Sequence, residues 1–292
     1  MREGFYPALG TPQDEMGNVI ESSLTLHVED QIRGKASGLL VMGSMGIEAQ
    51  VRQSQYVKVA SIAIKAAKDA LPVMVGVMDN SIGRVLDRIE SLNGLNVSGV
   101  VATTPFYFGM NQAEVKTFFE QIADKSPYPV YLYDLPGVTK TKITVDTAMQ
   151  LMAHRNIAGI KTGDLPTARM LERQKGEVDP QFSILFSGLD VFDTAYGFGL
   201  NRQLDGMFSC TTPLNMKLYD SLANHDMAAA SKALDDIVSL RDLFVSVGVF
   251  GGFTHAMNLL GFEGNFAPDY TIALNAEQQE KVKAFMQQLK LI

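Results

Sequence analysis

The sequence lacks several features on which whole classes of protein depend. It contains a single cysteine, Cys210, and no tryptophan among its 292 residues. One cysteine cannot form an internal disulfide, so we expect a reducing compartment, the cytoplasm. No apolar run reaches the about 18 residues that span a membrane, and residues 1–5 lack the apolar stretch of a signal peptide. We therefore expect a cytoplasmic protein that has no membrane partner.

Positive charge is also scarce. The 25 Lys and Arg residues are outnumbered by 32 Asp and Glu residues, which gives a net charge of -7, and no basic cluster is present. This balance argues against nucleic acid as a partner. The four histidines, His27, His154, His225 and His255, are scattered, and none pairs at the spacing of metal ligands. We therefore expect no metal site.

Short apolar runs are abundant, and they recur along the chain. There are eight of them, spaced roughly 20 to 35 residues apart, which is typical of successive β-α units. They cover residues 5–9, 38–42, 73–77, 99–103, 129–133, 158–161, 183–186 and 204–208. Apolar residues at helical spacing lie between them, with Ser22 or Ser23 as the expected N-cap of the first helix and Asn80 or Ser81 as that of the third.

After the eighth run the pattern is helical only, and residues 250–253, Phe-Gly-Gly-Phe, are expected to break a helix. Eight strands that alternate with helices, with no flexible linker, favour one (β/α)8 TIM barrel over a doubly wound sheet. We place a barrel catalytic domain at residues 1–212. We place a C-terminal helical extension, packed on the barrel, at residues 213–292.

The most informative stretch is residues 157–164, an apolar strand that ends on Lys161 and breaks at once into a glycine turn. The carboxyl ends of parallel strands are where such sheets carry their functional groups. An apolar surrounding favours the neutral amine, which can attack a ketone and form a Schiff base. The alternative from this stretch alone is a lysine that marks a strand end and points into water.

Two other strand ends carry candidate groups. The second is followed by Gly43, Ser44, Met45 and Gly46, a turn whose exposed N–H groups suit a carboxylate, although such a turn is more often only a turn. In the fifth strand Tyr131 and Tyr133 face the same way, so one of them can move protons, although a tyrosine buried in the core is the commoner case.

Together these motifs resemble those of the dihydrodipicolinate synthase and N-acetylneuraminate lyase family. The similarity covers essentially the whole chain, and the ordered set is specific although each motif alone is not. The motifs are Leu9-Gly10-Thr11-Pro12, Gly43-Ser44-x-Gly46, Tyr133-x-x-Pro136-Gly137, Gly159-Ile160-Lys161, Ser187-Gly188-x-Asp190 and Asp205-Gly206-x-x-Ser209.

The resemblance implies a class I aldolase-type lyase, usually a homotetramer, that uses neither a metal nor an organic cofactor. Its substrates are a 2-keto acid such as pyruvate and an aldehyde. Lys161 is expected to form the imine, and Tyr133 to act as general acid and base. Ser44 and a Tyr107 from a neighbouring subunit are expected to complete a hydroxyl relay. The substrate-binding residues that the resemblance implies are Gly43, Met45, Gly46, Val138, Gly188, Asp190 and Ser209.

The chain also departs from the family pattern. Val138 stands where the synthase carries an arginine for the far carboxylate of its aldehyde, with Lys140 and Lys142 nearby as alternative positive charges. Met45 replaces a hydroxyl residue. Val138 favours a hydroxylated or sugar-derived 2-keto acid as substrate, whereas Met45 and the altered turn keep a weakly active member open as an alternative. The alternatives are a true dihydrodipicolinate synthase, or a catalytically weak member that serves as a binding or regulatory protein.

Overall fold

The computed structural model describes all 292 residues and contains eight strands and twelve α-helices. The strands are β1 Gly4–Pro7, β2 Leu39–Val41, β3 Val73–Gly76, β4 Gly99–Thr103, β5 Val130–Asp134, β6 Ile157–Thr162, β7 Ser183–Phe186 and β8 Arg202–Asp205. The helices are α1 Glu21–Arg33, α2 Gln53–Ala67, α3 Ile82–Ser91, α4 Gln112–Lys125, α5 Pro136–Thr139, α6 Val145–Met152, α7 Leu165–Gln174, α8 Phe192–Tyr196, α9 Thr212–Ala223, α10 Met227–Val247, α11 Val249–Leu259 and α12 Ala276–Gln288. No helix combines the length and apolar character needed to cross a membrane.

The strands belong to one sheet with the order β1-β8-β7-β6-β5-β4-β3-β2. Each step from β3 to β8 joins neighbours in the sequence, and each of these pairs is parallel. Strands β3, β4, β5 and β7 are buried at every position, as expected when both faces of a parallel sheet are covered. The predicted (β/α)8 barrel class with C-terminal helices is confirmed.

The chain divides into two compact units. The first comprises Met1–Gly4 and Pro72–Leu204, and the second comprises Phe5–Leu71 and Asp205–Ile292. The expected domain boundary at residue 212 stays a prediction.

In the first unit, a buried tyrosine fills the space between two glycines. A Cβ on Gly99 would lie 2.6 Å from the Tyr131 ring, and one on Gly159 would lie 2.8 Å from it. Any larger residue would displace the ring, so both strands need glycine at these points. Burial raises the pKa of Tyr131. This residue therefore has the features of a core tyrosine, the commoner role of a buried tyrosine in a strand.

In the second unit, one face of α1 carries polar side chains into the core. Ser23 and His27 are both buried and lie four residues apart. The expected N-cap at Ser22 or Ser23 was wrong, because α1 begins after Ile20 without a side-chain cap and both serines lie inside its first turn. The Nε2–H of His27 donates to the carbonyl oxygen of Ser209 at 3.0 Å, and its ring lies 5.0 Å from that of Phe262.

The other local predictions had mixed outcomes. Ser81 caps α3 as expected, since its hydroxyl accepts from the Arg84 N–H. The expected helix break at residues 250–253 was wrong, because these residues lie inside α11 and the chain turns at Gly248 instead, with a φ of 108° that favours glycine. The eighth strand begins and ends earlier than the 204–208 expected. It stops at Asp205, whose carboxylate accepts from the Met207 N–H at 2.8 Å and so starts a turn.

The buried His27 predicts a loss of stability in mild acid. Burial lowers its pKa from 6.5 to about 4, while the hydrogen bond with Ser209 opposes the shift. The unfolded chain therefore binds a proton that the folded chain excludes, and stability is lost as the pH falls from about 6.5 to about 4. The wild type is expected to lose up to about 3 kcal/mol from this residue. His27→Gln keeps a donor for Ser209 without titrating, so its thermal unfolding midpoint should fall less over this range. Parallel pH curves for the two proteins would contradict this.

Candidate active site

Lys161 and Tyr133 meet on adjacent strands of the first unit. The register of β5 and β6 places the two residues opposite each other. Lys161 Nζ donates to the Tyr133 hydroxyl oxygen at 2.9 Å and lies 4.1 Å from the centre of the ring. Each side chain is only 5% exposed. The structure therefore brings together an amine and a phenol, a nucleophile and a proton-transfer group, in a setting where water is largely excluded.

The local sequence explains this placement. Strand β6 is an apolar segment in which Ile160 is fully buried, and alternation sends Lys161 to the opposite face. Lys161 is the next-to-last residue of its strand, as Tyr133 is of β5. Both side chains therefore stand at the carboxyl ends of parallel strands, where barrels of this class carry their functional groups.

Sequence reasoning missed a third member of this row, Thr103. Its register partner is Tyr133, so its side chain lies on the same face as the tyrosine. The Thr103 hydroxyl is buried and has no hydrogen-bond partner. A buried hydroxyl without a partner costs free energy, which makes Thr103 a candidate for contact with a bound molecule. The available signal was its position at the end of the fourth apolar run.

The loop after β5 carries Val138, whose side chain is 59% exposed. Of the two nearby lysines, Lys140 is exposed and ends α5 in a left-handed conformation. Lys142 is not a free positive charge, because its amine pairs with the Asp134 carboxylate and lies 3.6 Å from Asp164. Partial burial of Asp164 raises its pKa, but hydrogen bonds from Thr167 and the charge of Lys142 outweigh burial and hold the pKa of this carboxyl below its usual value. The positive charge of Lys142 is therefore largely neutralised by carboxylates, whereas Lys140 remains exposed.

Tyr107 does not lie in the protein interior. Its side chain is 77% exposed and packs edge-on against Phe108, with 4.8 Å between ring centres. The backbone of this segment is held by Asn80, whose side-chain oxygen accepts from the N–H groups of Phe106 and Tyr107, each at 2.9 Å. The loop thus exposes two aromatic rings on the surface of the isolated subunit.

The turn after β2 lies in the second unit and depends on Gly46. A Cβ on Gly46 would lie 2.8 Å from both the Leu9 carbonyl oxygen and the Met42 nitrogen. The Thr11 hydroxyl donates to the Gly46 carbonyl oxygen at 2.7 Å, which fixes the turn further. Ser44 is exposed in this turn, and its neighbour Met45 is half-buried and packs close to Gly206.

Three of the expected substrate-binding residues, Gly188, Asp190 and Ser209, differ in accessibility. Ser209 is almost fully buried in the second unit, and its hydroxyl donates to the Gly206 carbonyl oxygen at 2.6 Å. Gly188, in the first unit, stands where a Cβ would lie 2.3 Å from the Phe186 ring. Asp190 follows it and is exposed. Their role in binding stays a prediction, as does that of Gly43.

The structure offers little support for either a metal site or a nucleophilic thiol. No group of three or more His, Cys, Asp or Glu side chains is arranged to hold a metal ion. Cys210 is buried, and burial strongly raises the pKa of its thiol. A protonated thiol in the core is a poor nucleophile. The amine and phenol pair of Lys161 and Tyr133 is therefore the strongest candidate for a reactive centre.

Similarity to known proteins covers almost the whole chain. The model of the Dihydrodipicolinate synthetase family matches residues 1–289. A 4-hydroxy-tetrahydrodipicolinate synthase from Parvibaculum lavamentivorans is 28% identical over 298 aligned positions that cover 100% of both sequences. The solved structure of YagE, a prophage protein of the dihydrodipicolinic acid synthase family from E. coli K12 in complex with pyruvate, covers 100% of both chains with a TM-score of 0.91 at 22% identity. A monomeric dihydrodipicolinate synthase variant has a TM-score of 0.91 at 18% identity, over 100% of this chain and 98% of its own.

Proposed function

This chain belongs to the Dihydrodipicolinate synthetase family of aldolase-type carbon-carbon lyases, and we propose that it cleaves or forms a 2-keto acid through an imine on Lys161. The contact that carries the proposal is the 2.9 Å hydrogen bond between the Lys161 amine and the Tyr133 hydroxyl. It supplies the nucleophile and a proton-transfer group at one place.

In the proposed first step, the neutral amine of Lys161 attacks the keto carbon and forms a carbinolamine. Tyr133 is placed to protonate the departing hydroxyl, so that water leaves and a protonated imine remains. Because both side chains are 5% exposed, competing hydration is limited. The imine then draws electrons from the bond between the adjacent carbon and the next carbon, which bears a hydroxyl group.

In the cleavage direction, that bond breaks as its electron pair moves into the imine to give an enamine. The hydroxyl on the departing carbon loses its proton to the phenolate of Tyr133, and an aldehyde leaves. The enamine carbon takes a proton from the Tyr133 hydroxyl, and water hydrolyses the resulting protonated imine to release pyruvate, the free amine and a proton that returns to Tyr133. We propose that Ser44 and Tyr107 extend Tyr133 into a hydroxyl relay, and that the Gly43 to Gly46 turn with Met45 holds the keto-acid carboxylate.

For the aldehyde, we propose a hydroxylated or sugar-derived partner, bound in part by Gly188, Asp190 and Ser209. Val138 cannot make the bidentate contact that an arginine gives to a carboxylate. Lys142 is paired with Asp134 and so does not replace that charge freely. The alternative is a dihydrodipicolinate synthase, the activity named for the relatives, or a weakly active member that binds a ligand without efficient turnover.

We also propose that the working form is a homotetramer. Tyr107 and Phe108 expose two aromatic rings at the end of β4, which is unfavourable in water and favourable in a contact between subunits. The fold alone does not fix the number of subunits, since a monomeric variant shares it. In the proposed assembly, Tyr107 of one subunit completes the relay of its neighbour.

The imine predicts a covalent adduct that borohydride traps. With pyruvate and borohydride, the wild type should gain the mass of one reduced pyruvyl group, and peptide mass spectrometry should place it on Lys161. Lys161→Ala should give no adduct, while Tyr133→Phe should form it on the order of 10²-fold more slowly because its proton-transfer group is lost. Lys116→Ala, which removes a lysine of an ion pair on the surface of α4, serves as the control. A folded wild type that gives no adduct would favour the weak binding protein instead.

Substrate choice can be tested at Val138. The wild type is expected to condense pyruvate with hydroxylated aldehydes faster than with an aldehyde that carries a carboxylate. Val138→Arg should reverse this order, because it adds a charge-assisted contact worth roughly 1.5–3 kcal/mol. The measurement is kcat/KM for each aldehyde, with Val138→Leu as the control for size. A wild type that prefers the carboxylated aldehyde would point to the synthase.

Shared active sites predict complementation between subunits. The protein should sediment at four times the 31.9 kDa mass of one chain. Lys161→Ala and Tyr107→Phe subunits should each have low activity alone, whereas their co-expression should restore activity in sites that combine Lys161 of one subunit with Tyr107 of another. A fully active monomer, or no restoration in mixed assemblies, would count against the proposed role of Tyr107.

A further inference from the structure

Four residues close a ring of polar contacts at the carboxyl ends of β5 and β6. The Lys142 amine pairs with the carboxylate of Asp134. That carboxylate accepts from the Thr162 hydroxyl at 2.8 Å, and the same hydroxyl accepts from the Asp164 backbone N–H at 3.2 Å. The Asp164 carboxylate, 3.6 Å from the Lys142 amine, completes the ring. Asp134, Lys142, Thr162 and Asp164 are called the four-residue ring below.

Two residues of the four-residue ring are adjacent in the sequence to Tyr133 and Lys161. Asp134 follows Tyr133 in the chain, and Thr162 follows Lys161. Their register is Tyr133 opposite Lys161 and then Asp134 opposite Thr162. Successive residues of a strand point to opposite faces, so the four-residue ring lies on the other face from the amine and the phenol. One peptide unit therefore links each reactive residue to a residue of the ring.

The ring also fixes the segments that follow both strands. The second oxygen of the Asp134 carboxylate accepts from the Ile143 N–H at 3.0 Å, which attaches the segment before α6 to the end of β5. Asp164 caps α7, since its side chain accepts from the Thr167 N–H at 2.7 Å. The two strand ends are therefore tied to each other and to the starts of two helices.

The four-residue ring depends on Lys142, because this lysine supplies the counter-charge of the buried Asp134 carboxylate. The Asp134 side chain is 1% exposed, whereas that of Lys142 is 32% exposed. A buried carboxylate is stable only while a counter-charge or enough donors compensate its lost hydration. Removal of Lys142 would leave that charge poorly compensated, and the end of β5 would shift to bring the carboxylate to water.

We propose that the four-residue ring is a positioning device that holds Tyr133 and Lys161 in register for imine formation, with Asp134, Lys142 and Thr162 as positioning residues. This inference rests on the proposed function. None of the ring residues forms a bond to the substrate; they act through the strand ends to which they belong. Small displacements of reacting groups have large effects on rate, which gives such a device its importance.

The test measures the rate of imine formation by rapid borohydride quenching, at saturating pyruvate and at several lower concentrations. The variants are Lys142→Met, Thr162→Val, Asp134→Asn and the double variant Asp134→Asn/Lys142→Met. Lys142→Arg is the conservative replacement. Lys116→Met, which breaks the ion pair with Glu120 on α4, is the matched control. Thermal unfolding midpoints are recorded for all of them.

Lys142→Met is expected to slow adduct formation on the order of tenfold at saturating pyruvate, with the half-saturating pyruvate concentration changed much less. Thr162→Val should slow it in the same way. The double variant should recover most of the rate, because asparagine carries no charge. Its amide oxygen can still accept from the Ile143 N–H, while its NH2 group donates to the Thr162 hydroxyl oxygen. Lys142→Arg should also recover it, and the control should match the wild type.

Each other result has a definite meaning. Wild-type rates in Lys142→Met and Thr162→Val, with or without a lower unfolding midpoint, would overturn the inference and leave the proposed function intact. A double variant as slow as Lys142→Met would also overturn it, and remains informative if the single variant fails to fold. A wild type without any adduct would overturn the proposed function and this inference together.

Discussion

Parallel pairing of β5 with β6 is the constraint on which the candidate site depends. It sets Tyr133 opposite Lys161, and the next pair in the register, Asp134 and Thr162, is bonded on the other face. The side-chain alternation of a strand separates these two pairs while the backbone keeps them rigidly connected. A shift of one residue in this register would separate Tyr133 from Lys161, so the proposed chemistry depends on this pairing.

Burial gives this constraint its chemical effect. Lys161 and Tyr133 are almost fully buried, and so is the Asp134 carboxylate beside them. Low hydration limits competition from water at the amine, and it also makes an uncompensated carboxylate costly. The amine lies on one face of these strand ends and the carboxylate lies on the other. On the face of the carboxylate, Lys142 lies partly in solvent and supplies the counter-charge.

Much of this could be predicted from the sequence. Eight apolar runs at regular spacing indicated the barrel, which is confirmed, and the ordered motifs around Ser44, Tyr133 and Lys161 indicated the family and its lyase class, both confirmed by the family match. Local details were less predictable. Ser23 has the chemistry of an N-cap, but it lies in the core because it shares a face with His27. The helix break falls at Gly248, where the backbone takes a positive φ, and the glycines of residues 250–253 lie within α11.

The sequence by itself determined the order of strands and helices, the lysine at the end of β6 that is proposed to form the imine, and the absence of an arginine at position 138. These follow from apolar periodicity and from residue chemistry, which are local in the chain. Only the tertiary structure decided which side chains meet. The pairing of Lys142 with Asp134, the contact of Thr162 with the same carboxylate, and the unpartnered hydroxyl of Thr103 beside Tyr133 all depend on the register of separate strands. Register is decided by how the strands pack together, so composition and spacing do not reveal these contacts.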